Sequence, residues 1–359
     1  MEAQEILQDI VFVIIYGGVI MLNLVAALYL LLRRGNALMP EVTSPVRLRR
    51  WAAAFMVATA LSHVIWLFYA YNPTPAAYVI ICGLDMLMLL PTMAGTLMSM
   101  LQDRHRTVWP VLVMLIPAFI LMSLCLIRGD DSLFIVVTIY VWSMYALMML
   151  YMYFAVRRYG RWLRDNYADL ENKEVWQSLL ILAVFLLFFI TYSSTSEERT
   201  VLAYLLQINS IIIVGLLLWR VETLQQLSVS ISPAEAVEAS APPTIPANIG
   251  PLLKKHCEKG QLYLQHDLTL VQLSFAIGTN RYYLSQYFAQ QGLTYNAYIN
   301  GLRVNHFMNL YREAAADKRI VTAQQLALES GYRSYSTFSA AFKQNVGKTV
   351  TAWIHDVSE

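Results

Sequence analysis

Up to Arg220 the chain is a run of apolar blocks divided by short polar breaks. A helix rises 1.5 Å per residue, so about 20 apolar residues cover roughly 30 Å of hydrocarbon. Inside that hydrocarbon every backbone N–H and C=O needs an internal partner, which a helix supplies. Seven blocks are long enough: 10–32, 51–70, 77–101, 109–127, 132–156, 175–192 and 200–219. Pro91 and Pro110 fall inside or at the start of blocks, which membrane helices tolerate. Composition agrees, since only 14% of the 359 residues are charged, against about 25% in an ordinary soluble domain. The opening "MEAQEILQDI" is acidic and leads into an apolar stretch too long for a signal-peptide core. The first helix is therefore expected to remain in the protein.

Lys and Arg in short loops mark the cytoplasmic side of a membrane protein. The first loop holds Arg33, Arg34, Arg47, Arg49 and Arg50, the third Arg104 and Arg106, and the fifth Arg157, Arg158, Arg161, Arg164 and Lys173. The alternate loops carry only Arg128 and Arg199, beside Asp130, Asp131, Glu197 and Glu198. Glu2, Glu5 and Asp9 make the N-terminus acidic. The expected topology is N-terminus outside and C-terminus in the cytoplasm, which an odd number of spans satisfies. Residues 220–227, "RVETLQQL", are expected to extend the seventh helix, closing a sensor domain of 1–227. Residues 228–250 are rich in Ser, Ala and Pro and read as a flexible tether.

Beyond Pro251 the composition is that of a soluble domain, with 11 Lys and Arg against 7 Asp and Glu, a net charge of +4. "DLTLVQLSFAIGTNRYYLSQYFAQQG" gives a short helix from Thr269, a turn at Gly278 and a second helix from about Asn280. "VTAQQLALESGYRSYSTFSAAFKQNVG" repeats the plan, with a helix from about Thr322, a turn at Gly331 and a helix from about Ser334. Such a unit is a helix-turn-helix, whose second helix enters the major groove. Between the repeats, Tyr298, Leu302 and Phe307 mark a connecting helix packed on both units. Two recognition helices in one chain could read major-groove segments about 34 Å apart.

The residues "TNRYYLSQYF" (279–288), "YINGLRV" (298–304), "LALESGYRSYSTFSAAFK" (326–343) and Gly347 resemble the AraC/XylS family of transcription regulators, over about 95 residues, 262–355. The resemblance implies an all-helical bipartite DNA-binding domain over 251–359. It implies double-stranded promoter DNA and RNA polymerase as partners, and the bacterial cytoplasmic membrane as the location of the multi-pass region. The family's Pro three residues after the last glycine is Val350 here, and an Arg common in the second recognition helix is Ala340. Both departures bear on the second helix's contacts more than on the fold. The expected fold class is thus all-α, a seven-helix transmembrane bundle followed by a bipartite helix-turn-helix domain.

Arg pairs bidentately with guanine, and Asn or Gln with adenine. On the first recognition helix the candidates for DNA contact are Asn280, Arg281, Tyr282, Ser285 and Gln286. Tyr283, Leu284 and Phe288 are assigned to the core. On the second helix the candidates are Arg333, Ser334, Tyr335 and Thr337, with Tyr332, Phe338 and Phe342 buried. Arg303, Lys343 and Lys348 would suit phosphates, which position a protein without specifying sequence.

Setting tyrosines and cysteines aside, His63 and Asp85 are the only ionisable side chains well inside the apolar blocks. Such groups are costly in lipid and point to function. Both lie about 10–12 Å below the outer end of their helices at 1.5 Å per residue. Tyr16, Gln207 and Asn209 fall at similar depth, with Asn23 deeper. These six residues form a candidate pocket for a small or amphiphilic ligand; the competing reading is a hydrogen-bond cluster that orders the bundle. The three cysteines show no metal-ligand spacing, and no cofactor is expected. The leading expectation is a membrane-embedded, non-enzymatic one-component transcription regulator, able to gain by pairing as a homodimer. The alternative is a membrane enzyme or transporter with a self-regulatory DNA-binding domain, although no HExxH, GxSxG or Gly-rich phosphate loop occurs.

Overall fold

The computed structural model describes residues 9–33, 35–40, 42–128, 133–171, 173, 181, 183–184, 199–227 and 248–358. No strand forms among them, and one isolated bridge pairs Tyr167 with Thr269. The chain divides into two compact units, 1–159 with 175–228, and 160–174 with 229–359.

The first unit contains α1 (Ile10–Leu32), α2 (Val46–Tyr71), α3 (Pro75–Ser99), α4 (Trp109–Arg128), most of α5 (Phe134–Asn166) and α6 (Arg199–Thr223). Among the described residues, six helices are long and apolar enough to cross a membrane. The sixth predicted block, 175–192, lies almost wholly outside the described residues, as does the tether through 247. Large apolar side chains such as Ile14, Leu28, Ile116, Ile127, Ile139, Leu147 and Phe154 point outward. An apolar surface of this kind is suited to lipid and not to water.

Small residues let the helices approach closely. Ala52, Ala53 and Ala60 of α2 and Ala94 of α3 are fully buried, and a Cβ on Gly95 would collide with the Trp51 ring. At one end of α1, α2 and α6, charged groups close the bundle. The Glu222 carboxylate accepts from the Tyr29 hydroxyl (2.9 Å), the Leu38 N–H (3.1 Å) and the Ala37 N–H. Arg49 donates to the carbonyls of Leu30 (3.3 Å) and Arg33 (2.6 Å) and to Asn36 Oδ1 (2.9 Å).

Two expectations change here. Arg47, Arg49 and Arg50 sit on the first two turns of α2 and not in a loop, because the helix starts directly after Pro45. The last apolar helix does not continue to 227 but stops at Thr223. Gln226 N–H donates to Thr43 O (2.7 Å), and the Gln102 amide bonds both Gln225 O (2.9 Å) and Leu227 N–H (2.8 Å), which draws 224–227 out of the helix. By contrast α5 runs ten residues past its predicted end at 156, to Asn166.

Besides the end of α5 and the residues after it, the second unit contains α7 (Ile249–Leu252), which passes into a π-helical turn (Leu253–Lys259) and a 3₁₀ turn (Leu262–Leu264). Then follow α8 (Leu270–Ala276), α9 (Arg281–Gln290), α10 (Tyr295–Ala316), α11 (Ala323–Glu329), α12 (Tyr335–Val346) and α13 (Val350–Ser358). There are two cores. One gathers Ile249, Leu253, Tyr263, Leu273, Leu284, Phe288 and Ile299; the other gathers Val304, Phe307, Leu326, Tyr332, Phe338, Phe342 and Trp353. The first half of α10 packs in one and its second half in the other, as expected for the connecting helix. Burial pushes the Cys257 thiol of the first core up to about 12, so it stays protonated and unreactive.

Candidate nucleic-acid interface

α9 and α12 are each started by a side chain and preceded by a glycine turn. Thr269 Oγ1 accepts from Gln272 N–H (3.2 Å) while Gln272 Oε1 accepts from Thr269 N–H (2.9 Å), a reciprocal cap for α8. Gly278 then turns the chain at φ 73°, and Asn280 Oδ1 accepts from Tyr283 N–H (2.9 Å) to open α9. In the second unit Thr322 caps α11, Gly331 turns at φ 88°, and Ser334 Oγ accepts from Thr337 N–H (3.3 Å) to open α12. Positive φ is the region glycine enters without a Cβ penalty.

The interior faces of α9 and α12 are those predicted: Leu284 and Phe288 are buried on one, Phe338 and Phe342 on the other. Of the candidate contacts on α9, Ser285 is exposed while Arg281, Tyr282 and Gln286 are half-buried. On the second unit Arg333, Lys343 and Lys348 are exposed, and Ser334, Tyr335 and Thr337 are half-buried. Tyr335 packs its ring against Phe338, with centroids 5.7 Å apart. Lys348 Nζ lies 2.7 Å from Asp356, whose carboxyl is held below its ordinary range by that bond. Arg333 lies 3.8 Å from Asp267. Asn280 and Ser334 spend one side-chain oxygen each on a cap, a role their position at the helix start already allows.

Arg303 is a correction. It was expected on a phosphate, yet it is among the most deeply buried side chains in the protein. Its guanidinium donates to the carbonyls of Tyr263 (2.7 Å), Gln265 (2.7 Å) and His266 (3.1 Å) and lies 5.5 Å from the centroid of the Tyr332 ring. Desolvation lowers its pKa, opposed by Tyr332, Tyr295, Asp169 and Asp267. It ties α10 to the segment 263–266 and to Tyr332, and its burial makes it unavailable to DNA. The sequence signal was its place in "YINGLRV", within the connecting helix and four residues before the buried Phe307.

Sequence reasoning also missed the contribution of residues 160–174, which it treated only as a basic loop. Ala168 is buried in the first core, and Asn296 Nδ2 donates to the carbonyls of Tyr167 (3.2 Å) and Ala168 (2.6 Å). Arg281 Nε donates to Asn166 Oδ1 (3.0 Å), and Glu171 Oε2 accepts from Ser334 Oγ (2.7 Å) and Thr337 Oγ1 (2.8 Å). The available signal was acidity: Asp165, Asp169, Glu171 and Glu174 interrupt a loop otherwise rich in Arg.

In the first unit the polar residues converge in part. His63 Nε2 meets Gln207 Oε1 (3.2 Å), His63 Nδ1 meets Thr59 O (2.7 Å), and the Tyr16 hydroxyl donates to His63 O (2.6 Å). Asp85 accepts from Trp66 Nε1 (2.6 Å) and interacts electrostatically with Tyr16, His63, Cys82 and Tyr145. Asn23 Nδ2 donates to Val19 O (2.9 Å) and reaches Ser210 Oγ (3.5 Å), apart from the His63 contacts. Asn209 is buried with neither amide atom hydrogen-bonded.

Residues 273–355 match the family model of a helix-turn-helix domain. No curated protein and no solved structure matches the chain.

Proposed function

From a C-terminal helix-turn-helix domain of the AraC type joined to long apolar helices, we propose a membrane-embedded one-component transcription regulator that reads promoter DNA with both α9 and α12. One observation carries this reading: two helices of the same kind, each capped at its start and preceded by a glycine turn, are fixed to a single connecting helix. Arg281, Tyr282, Ser285 and Gln286 on the first unit, and Arg333, Ser334 and Thr337 on the second, lie on or beside the first turns, the part of a recognition helix that meets base edges. Asn280 and Tyr335 flank them. Lys343 and Lys348 are exposed cations of the type that hold phosphates.

The apolar helices keep this domain at the bacterial cytoplasmic membrane, N-terminus outside, with seven spans once 175–192 is included. RNA polymerase and a second copy of the chain are the expected protein partners. The contacts joining α1, α2 and α6 through Tyr16, His63 and Gln207, together with Asp85 and the unpartnered Asn209, support a site for a small polar or amphiphilic signal. A signal of this kind acts only through different affinities for two arrangements of the helices.

Genome-wide mapping of sites bound by the full chain, Arg281→Ala and His63→Ala tests both halves. Arg281→Ala should lose about 1–3 kcal/mol at its operators and relax preference at one base. A uniform loss on all sequences would make Arg281 a phosphate contact. His63→Ala should occupy the same sites but no longer respond to the signal. If the protein occupies no promoters, the regulatory reading is wrong.

A further inference from the structure

We infer that residues 166–171 form a built-in competitor for DNA, a strap that holds the reading ends of both recognition helices. The inference rests on the reading of α9 and α12 as DNA-reading helices. Its geometry is independent of that reading.

The strap has an anchor and two tips. At the anchor, Tyr167 bridges Thr269, Ala168 N–H donates to Leu268 O (3.4 Å), and the Ala168 side chain is buried in the first core. Asn296 holds the carbonyls of Tyr167 and Ala168, and the buried Asp169 acts electrostatically on Arg303. The tips lie to either side of this anchor. Asn166 Oδ1 takes the Nε–H of Arg281, the first residue of α9. Glu171 takes the hydroxyls of Ser334, the cap of α12, and Thr337, in its first turn.

The same few side chains cannot serve the strap and DNA together. With its Nε–H given to Asn166, Arg281 cannot pair side-on with guanine through Nε and an Nη, and the strap sets the direction of its remaining fork. The start of a helix carries partial positive charge and attracts phosphate. At α12 that place is taken by the Glu171 carboxylate, which would also repel an incoming phosphate backbone. Nearby, Lys173 and Arg333 both approach Asp267, at 3.7 and 3.8 Å, so the acidic residues on this side partner two more cations.

The position of the strap in the chain gives it a lever. It starts at the last residue of α5 and precedes the sixth predicted span, so a change in the membrane helices has a covalent route to residues that face DNA. A signal need only weaken the tip contacts, while the anchor at Ala168 remains in the core.

The test uses full-length protein in lipid vesicles and a random-sequence duplex of about three helical turns, roughly 30 base pairs. The double variant Asn166→Ala with Glu171→Ala should bind about tenfold more tightly than the parent at the same salt concentration. A second pair, Glu171→Cys with Ser334→Cys, should form a disulfide on oxidation, identified by mass spectrometry. Oxidation should abolish binding and reduction should restore it. Equal or weaker binding by the alanine variant, with hydrogen exchange of α8–α13 unchanged, overturns the strap and leaves DNA reading intact. If the alanine variant misfolds, the cysteine pair decides: binding that survives oxidation, or no disulfide at all, overturns the proposal. Failure of every form to bind duplex overturns the strap and the DNA-reading function together.

Discussion

A Cβ placed on Gly278 would meet open space, whereas one on Gly331 would meet the Cα and carbonyl oxygen of Leu264 at 2.8 Å. The two helix pairs, α8 with α9 and α11 with α12, share a plan but not a construction. In the first, the turn has to satisfy only its own backbone, at φ 73°. In the second, at φ 88°, the turn is also pressed onto the 3₁₀ turn that precedes α8. Arg303 reinforces the same joint, bonding three carbonyls in 263–266 while facing the Tyr332 ring. The α11–α12 pair is therefore built onto the segment that leads into α8, and its spacing from α8–α9 is set by this joint as well as by α10. Under the proposed function this fixed spacing would set how far apart α9 and α12 meet successive groove segments.

Removing the joint should have the largest effect. Arg303→Ala strips three buried carbonyls of a charged donor, at an expected cost of about 3–5 kcal/mol. Hydrogen exchange in the full-length protein should show α10 and α11 amides losing protection together. Arg303→Lys should be nearly as damaging, since a single ammonium cannot span the positions a guanidinium fork reaches. Loss confined to the second unit would mean that the joint is weaker than its geometry suggests.

What the sequence made legible follows from what is local. The helix starts near Thr269, Asn280, Thr322 and Ser334 and the turns at Gly278 and Gly331 depend on a few neighbouring residues, and all were readable; that Asn280 and Ser334 also cap their helices was not. So were the buried faces of α9 and α12, because Leu284 with Phe288 and Phe338 with Phe342 repeat at helical spacing. The matched helix-turn-helix family covers the same stretch. Arg303 was misplaced because its partners lie about 40 residues away and are backbone carbonyls, which leave no mark in composition. The same holds for Glu171, whose hydroxyl partners are more than 160 residues distant. In the membrane region, apolar length gave the helices, but not the buried pairing of Arg49 with Asn36 or of Glu222 with Tyr29. A charge counted as a loop marker can equally be a fastener.

The glycines give the next contrast. Gly278→Ala should cost about 1–2 kcal/mol, the penalty of a Cβ in the left-handed region. Gly331→Ala carries the same penalty and must also displace the Leu264 backbone, so its loss should exceed that of Gly278→Ala and reach α8, in the other unit. Hydrogen exchange comparing α8 with α11 in both variants measures this directly. Equal, purely local effects would show that the close approach to Leu264 is easily relieved.

The smallest contrast concerns the caps. Both first helices start with Thr and carry Gln at the third position, so the sequence makes them look equivalent. Only at α8 does that Gln reach back: Gln272 Oε1 accepts from the N–H of Thr269, whereas the Gln325 amide donates to Glu329 Oε1 (3.2 Å) on the exposed side of α11. Gln272→Ala leaves a helix-end donor without its partner and should cost about 0.5–1 kcal/mol. Gln325→Ala removes an exposed pair spaced four residues apart, worth about 0.2–0.5 kcal/mol. The exchange of the first-turn amides of α8 and α11 should separate the two substitutions. If Gln325→Ala proves as costly as Gln272→Ala, the second cap is as complete as the first, and the asymmetry between the units is confined to the joint at Leu264 and Arg303.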